Sequence, residues 1–127
     1  MIRDFLIISC IGNDDKLGLR INKDFFVYNF DKKEINKNQL VLDIYNFLNS
    51  HKAILNEEFS IIVNQGPGSF SGTRISLAVA KGLVIAKNTR LYGYKSSDLI
   101  KFDQENIEEM FKKKLIEKKL IKPIYLS

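Results

Sequence analysis

Residues 58–87 read EFSIIVNQGPGSFSGTRISLAVAKGLVIAK. Phe59 and residues 61–63 form a short apolar run that is rich in β-branched side chains, which is typical of a buried strand. The glycine- and proline-rich residues 66–72 break this run, and a long apolar segment follows at 75–86. The stretch therefore predicts a strand, a glycine turn and a helix over residues 73–87.

The predicted helix is apolar nearly all round, whereas an ordinary surface helix has one apolar stripe. We expect one side to be covered by the sheet of its own domain and the other by a second chain. One side carries residues of mostly small size: Ile75, Ala78, Val79, Gly82 and Ala86. A glycine inside a helix costs about 1 kcal/mol relative to alanine. We therefore expect Gly82 to serve close packing.

The glycine turn matches neither common nucleotide-binding motif. A phosphate loop needs G-x-x-x-x-G-K-[ST], but Gly72 is followed by threonine and arginine. The dinucleotide fingerprint G-x-G-x-x-G fails at its third glycine, where Ser71 stands. Because helix N-termini attract anions, a weakly held phosphate stays open. The favoured interpretation is a tight strand-to-helix connection with Ser69 or Ser71 as the cap.

Length and composition indicate one domain of 127 residues with an ordinary apolar content of 45%. No apolar run approaches the roughly 20 residues that cross a bilayer, so we expect no membrane span. We also expect no signal peptide. A single cysteine, Cys10, excludes an internal disulfide and a cysteine-based metal cluster, and a reducing cytoplasm is the expected setting.

The net charge of +5 lies largely in the lysine-rich residues 112–122. We interpret this segment as the solvated face of a helix, with a patch that lies near nucleic acid as the alternative. The whole chain gives the order βββαβαβ followed by a helix. The predicted elements are strands 5–11, 17–21 and 25–30 in an antiparallel meander, helix 38–50, strand 59–64, helix 73–87, strand 90–94, a helical turn within 97–102, a charged helix 104–121 ended by Pro123, and an extended tail 123–126 against the body.

Residues 66–83, GPGSFSGTRISLAVAKGL, resemble the signature G-P-G-S-F-T-G-x-R-I-G-x-x-x-A-K-G-L of the TsaB family, also called YeaZ. Residues 92–99 resemble the family's next strand and turn. The ending PIYLS resembles the family terminus P-x-Y-L-R, with Ser127 in place of the arginine. The resemblance implies an α/β fold, a single ribonuclease-H-like lobe of the actin-like ATPase superfamily. Residues 1–127 would form one Gcp-like domain, in which 104–127 replace the family's second lobe.

The resemblance also implies a function. It suggests a non-catalytic partner of TsaD in the synthesis of N6-threonylcarbamoyladenosine beside the tRNA anticodon, with TsaE acting on the TsaB–TsaD pair and tRNA involved only indirectly. Helices 38–50 and 73–87 would contact TsaD, and the isolated protein could pair with itself through the same surface. We expect no catalytic residue, metal or cofactor. The expected partner interface comprises Leu42, Tyr45, Arg74, Leu77, Ala78, Lys81, Gly82 and Ile85, and the expected structural turn comprises Gly66, Pro67, Gly68, Ser69, Phe70 and Gly72.

The chain departs from the family at two places. It has Ser9-Cys10-Ile11 where TsaB relatives often show D-T-S, and residues 37–40 read KNQL where the family has an H-S-E-like segment.

Two rival hypotheses stay open. One is a small nucleotide- or phosphoester-processing enzyme of the same fold, and the other is a degenerate paralogue with a different partner. The enzyme requires clustered carboxylates, for which the candidates are Asp4, Asp14, Asp15 and Asp98. We interpret His51 as a helix-end residue.

Overall fold

The computed structural model describes residues 4–12, 14–30, 36–116, 118, 121 and 124. A five-stranded sheet carries helices on both faces. The elements are strands β1 (Phe5–Ser9), β2 (Lys16–Ile21), β3 (Asp24–Asn29), β4 (Ser60–Asn64) and β5 (Arg90–Tyr94), helices α1 (Lys37–Ser50), α2 (Phe70–Lys87) and α3 (Gln104–Lys112), and a 3₁₀ turn at Ser96–Asp98. The predicted order of strands and helices is confirmed.

The sheet has the strand order β3-β2-β1-β4-β5 and is antiparallel on one side and parallel on the other. The meander β1-β2-β3 is antiparallel because its connections are short. Asn22 and Lys23 form the two-residue turn between β2 and β3 with φ angles of 50° and 75°. Two left-handed residues give the twist that a tight hairpin requires. Strands β1, β4 and β5 are parallel, and α1 and α2 supply the crossovers that such pairing needs.

Apolar residues fill both sides of the central strands. In β1, Leu6 and Ile8 belong to the core under α1 and α2, whereas Phe5 and Ile7 belong to the core under α3. Side chains alternate along a strand, so a strand covered on both faces is apolar at every position. This explains why β1 and β4 are continuous apolar runs in the sequence.

Helix α3 corrects the predicted helix over 104–121. It starts at its cap Asp103, which accepts a hydrogen bond from the Asn106 amide at 2.8 Å, and it ends at Lys112. Lys114 has a left-handed φ of 58°, which stops the helix well before Pro123. Pro123 itself lies outside the described residues. The nine helical residues bury Ile107 and Met110 against the sheet, and Phe102, Phe111 and Ile116 pack on the same core.

Ile121 lies on the opposite side of the sheet from α3, in the core under α1 and α2. Its Cγ2 atom lies 2.9 Å from the position that a Cβ on Gly93 would occupy. Ile121 therefore does not lie on the face of a single helix with Ile107 and Met110, as a helix over 104–121 would require. The Ile124 amide then donates to the Gln65 carbonyl oxygen at 2.7 Å, so this part of the tail contacts the body as predicted.

Gly18 has no side chain, and this leaves room for side chains of β1, β3 and the segment before α3 to pack together over β2. A Cβ at this position would lie 2.7 Å from Ile7 Cγ2, 2.8 Å from Phe25 Cζ and 3.0 Å from Phe102 Cε2. We predict that Gly18→Ala lowers the free energy of unfolding by about 1–3 kcal/mol through overpacking. Urea denaturation measures this. Gly82→Ala is the matched control, because a Cβ at Gly82 meets nothing within 4 Å, and it should stabilise the protein by up to about 1 kcal/mol. Equal effects of the two variants would contradict this account of the core.

Candidate functional site

The glycine turn begins directly after β4, at the carboxyl edge of the parallel strands. Asn64 Oδ1 accepts a hydrogen bond from the Gly66 amide at 2.9 Å, and the Gly66 carbonyl accepts one from the Ser96 amide, also at 2.9 Å. Gly66 has a φ of +99°, a conformation that side chains rarely tolerate, and the Gly66–Pro67 peptide bond is cis. These contacts tie the first half of the turn to β4 and to the segment after β5.

Ser69 sets the start of α2. Its side chain accepts a hydrogen bond from the Gly72 amide at 3.1 Å, and its own amide donates to the Ile11 carbonyl at 2.7 Å. Ser69 is thus one of the two caps that the sequence allows, and Ser71 lies inside the helix. The helix begins at Phe70, three residues before the predicted start, so Phe70 and Gly72 belong to its first turn and not to the preceding loop.

The turn packs directly on the loop after β1. A Cβ on Gly68 would collide with the side chain of Ile11, and one on Gly72 would lie 3.1 Å from the Cys10 carbonyl oxygen. A Cβ on Gly12 would meet the Ser69 side chain at 2.6 Å. The three glycines therefore let two backbones touch. Cys10 lies buried beneath this contact, and burial raises the pKa of its thiol well above the ordinary value, so the thiol stays protonated.

Several amides of the turn are used within the chain. Ser69 donates to Ile11, Gly72 donates to the Ser69 hydroxyl, and the Thr73 amide donates to the Ser69 carbonyl at 3.1 Å. A phosphate loop instead directs its amides at the ligand. The geometry supports the interpretation of residues 66–72 as a tight connection that orients α2.

Helix α2 presents a row of exposed residues on the side away from the sheet. Of the expected partner interface, the exposed residues on this row are Arg74, Ala78, Lys81, Gly82 and Ile85. Ile85 is 84% exposed, and the Arg74 guanidinium lies 4.9 Å from the centre of the exposed Phe70 ring. On α1, Leu42 is 54% exposed and Tyr45 is half-buried against the core. We name the exposed surface of α2 that is formed by Arg74, Ala78, Lys81, Gly82 and Ile85 the outer helix face.

Leu77 is corrected by the structure. It is 4% exposed and packs in the core with Ala80 and Leu83, so it is not part of the exposed row. Val79, which the periodicity places beside Ala78, is buried as well. A helix that is apolar on nearly every side gives little information about its rotation, and this is why the sequence assigned Leu77 to the surface.

The candidate carboxylates do not form one cluster. Asp4 precedes β1 at the amino edge of the sheet, where it pairs with Arg20 at 3.7 Å, whereas Asp14 pairs with Lys16 at 2.6 Å beyond the other edge. Asp15 accepts a hydrogen bond from the Gly12 amide at 3.0 Å, and Asp98 ends the 3₁₀ turn. Among the described residues, no three His, Cys, Asp or Glu side chains are placed to hold a metal ion. The cluster that the enzyme hypothesis requires is not found in this part of the chain.

His51 follows α1 as the helix-end residue that the sequence predicts. Its ring stacks on Phe26 at 3.9 Å between centroids and meets the edge of Phe47 at 5.3 Å. Its role here is packing between α1 and β3.

Three polar side chains that no sequence motif brings together meet at the carboxyl edge. Ser9, Asn64 and Tyr94 are the last residues of β1, β4 and β5. The Asn64 amide group donates to Ser9 Oγ at 3.2 Å, and Asn64 and Tyr94 are paired in the strand register. In the sequence, the only sign of this arrangement is that each apolar run ends with a polar residue. This sign predicts a shared site only when the strand order is known.

Relatives in sequence and structure agree on one family. The chain is 43% identical over 63 residues to the tRNA threonylcarbamoyladenosine biosynthesis protein TsaB of Buchnera aphidicola subsp. Baizongia pistaciae, an alignment that covers 48% of this chain and 28% of that protein. The fold matches YeaZ from Pseudomonas aeruginosa with a TM-score of 0.69 at 15% identity, over 88% of this chain and 50% of YeaZ. The predicted resemblance to the TsaB/YeaZ family is confirmed.

A second solved structure, described as an uncharacterized protein with similarity to peptidase YeaZ from Pseudomonas aeruginosa, also has a TM-score of 0.69 at 15% identity. It matches 87% of this chain and 48% of its own. The chain therefore spans about half the length of the YeaZ structures. No family model matches the chain. The α/β, ribonuclease-H-like lobe that the sequence predicts is the observed fold. The replacement of a second lobe by residues 104–127 stays a prediction.

The contact between Gly68 and Ile11 yields a prediction for the turn. A Cβ on Gly68 would lie 2.7 Å from the Ile11 carbonyl oxygen, and this backbone atom cannot move aside by a change of rotamer. We predict that Gly68→Ala lowers the free energy of unfolding by more than about 2 kcal/mol. Urea denaturation provides the measurement, with the exposed Ser71→Ala as a nearly neutral control. A Gly68→Ala variant as stable as the control would show that the two loops do not touch.

Proposed function

We propose that this protein takes part in making N6-threonylcarbamoyladenosine in tRNA, as a non-catalytic partner of TsaD. The proposal is supported by the similarity to a protein named for this biosynthesis and by the YeaZ-like fold. It assigns the chemistry to TsaD, the action on the assembled pair to TsaE, and an indirect role to tRNA. The protein would act in the cytoplasm. In the described residues, every helix is too short or too polar to cross a bilayer.

The outer helix face is the observation that carries the proposal. Ile85 and Leu42 are large apolar side chains that the domain leaves exposed. Ala78 and Gly82 lie one turn apart on α2, and a Cβ on Gly82 meets nothing within 4 Å. Large apolar side chains that a domain leaves exposed indicate a binding site, and small residues let a partner helix approach closely.

The polar residues of the outer helix face suit a partner surface that has both apolar and polar residues. Lys81 lies beside Gly82, and the Arg74 guanidinium lies over the Phe70 ring, within the distance of a cation–π contact. Interfaces typically surround an apolar centre with such charged residues. We propose that the outer helix face packs against helices of TsaD, with Gly82 at its centre.

Gly82→Leu separates binding from folding. The side chain enters open space in the free protein, so the free energy of unfolding should not fall. In the complex the same side chain would hold the helices apart, and association with TsaD should weaken by about 2–4 kcal/mol. Calorimetric titration of purified TsaD measures the difference. Lys87→Leu is the matched control, because it lies on the same helix about 140° around the axis from Gly82.

The outcomes distinguish the two parts of the proposal. Unchanged affinity of Gly82→Leu for TsaD would contradict the interface, even if the complex forms. Failure of the unmodified protein to bind TsaD would contradict the proposed function itself.

We further propose that the isolated protein forms a homodimer through the outer helix face. Sedimentation equilibrium should then show a concentration-dependent dimer for the unmodified chain and for Lys87→Leu. Gly82→Leu should shift the equilibrium towards monomer, because a C2 interface carries the added side chain on both sides. A dimer that persists unchanged in this variant would place self-association on another surface.

A further inference from the structure

A polar row crosses the sheet at its carboxyl edge, on the side of α3. Lys16 of β2 pairs with Ser9 of β1 in the strand register, Asn64 donates to Ser9, and Tyr94 of β5 pairs with Asn64. The three parallel strands all end here. In open α/β sheets, ligands bind outside the carboxyl ends of parallel strands, because the last side chains and the following loops meet there.

The polar row lines a cavity of about 490 Å³. Ile11 and Asp14 from the loop after β1 and Ser96 from the segment after β5 also line it. The remaining wall is formed by residues between the 3₁₀ turn and α3: Leu99, Ile100, Lys101 and Phe102. Ile100 is 91% exposed, so an apolar surface lies open beside the polar row. The cavity has the size of a small-molecule site.

The Tyr94 hydroxyl is the least satisfied polar group of the row. Tyr94 is 1% exposed, and its hydroxyl makes no hydrogen bond of acceptable geometry with a described residue, although Ser9 and Asn64 lie beside it. A buried hydroxyl without a partner is costly, so such a group calls for an explanation. A ligand in the cavity that accepts its proton would provide one.

The protonation of Tyr94 fixes its role. Burial raises the pKa of the hydroxyl well above its ordinary value, and the neighbouring Ser9 and Asn64 side chains oppose this only in part. Tyr94 is therefore protonated at neutral pH and available as a donor. The cavity thus offers the Tyr94 hydroxyl and the Ser9 hydroxyl as neutral hydrogen-bond donors.

The charged groups of the cavity favour an anion. Lys16 and Lys101 contribute two ammonium groups, whereas Asp14 is the single acidic residue among the lining residues. Asp14 is paired with Lys16 at 2.6 Å, which places its charge against a cation. Positive groups together with hydroxyl donors match the oxygens of a phosphate or carboxylate group.

We propose that this cavity binds a small molecule with a phosphate or carboxylate group, held by Tyr94, Ser9 and Lys101, with its organic part against Leu99 and Ile100. The inference is independent of the proposed partnership with TsaD, because the cavity lies on the α3 side of the sheet and the outer helix face lies on the other side. If the protein did not bind TsaD, the proposed anion site would be unaffected. If the cavity did not bind an anion, the proposed partnership with TsaD would be unaffected.

The test titrates the full chain with inorganic phosphate and, in a parallel arm, with acetate, at a constant ionic strength. We expect saturable binding of at least one anion with a Kd of about 1 mM or lower. The tighter anion identifies the group, since phosphate esters and carboxylates are the two sources. Absence of saturable binding of both anions at concentrations up to about 10 mM would overturn the proposal.

Two variants and two controls locate the binding. Tyr94→Phe removes only the hydroxyl and Lys101→Gln only the charge, and each should raise the Kd at least about fivefold. Tyr92→Phe and Lys95→Gln are the matched controls, because Tyr92 is buried on the same face outside the cavity and Lys95 is an exposed neighbour. The thermal midpoint should rise with the anion in both controls and much less in Tyr94→Phe. Equal weakening in variants and controls, or none in either variant, would contradict the assigned site.

Discussion

The contact between two glycine-bearing loops at the carboxyl edge of the sheet determines most of what lies above it. Gly68 rests on Ile11, Gly72 on the Cys10 carbonyl, and the Ser69 amide donates to Ile11. Because the backbones of the loop after β1 and the glycine turn are in direct contact, the two loops fit together in only one arrangement. That arrangement fixes the first residue of α2, and the first residue fixes how the helix is rotated on the sheet. The composition of the outer helix face therefore follows from a contact at the far end of the same helix.

The secondary structure was largely predictable because its signals are local. Continuous apolar runs gave β1 and β4, the two-residue turn at Asn22 and Lys23 gave the hairpin, and the glycine turn gave the start of α2 within three residues. The end of α3 was not predictable from propensity. Its lysine- and glutamate-rich extension favours helix, but the backbone turns at Lys114, which has a left-handed φ of 58°, and Ile116 then packs on the same core from outside the helix.

The two candidate sites differ in how many of their residues could be predicted from the sequence. Of the residues that were assigned to the partner interface, Ala78, Gly82 and Ile85 are exposed, whereas Leu77 is buried, because its helix lacks a polar side that would indicate its orientation. The role of the exposed residues as an interface stays a prediction. The polar row of Ser9, Asn64 and Tyr94 was not predicted at all. Its members are far apart in the sequence, and only the strand order and register bring them together. Information of this kind is contained in the pairing of strands and not in any one segment.

The buried position of Cys10 has a practical consequence. It is the single cysteine of the chain, and burial with a raised pKa keeps its thiol from forming the nucleophilic thiolate. We therefore expect Cys10 to react only slowly with maleimide reagents. A cysteine introduced at the exposed Ala86 could carry a fluorophore at the border of the outer helix face, so that docking events become visible by anisotropy without any other change to the chain.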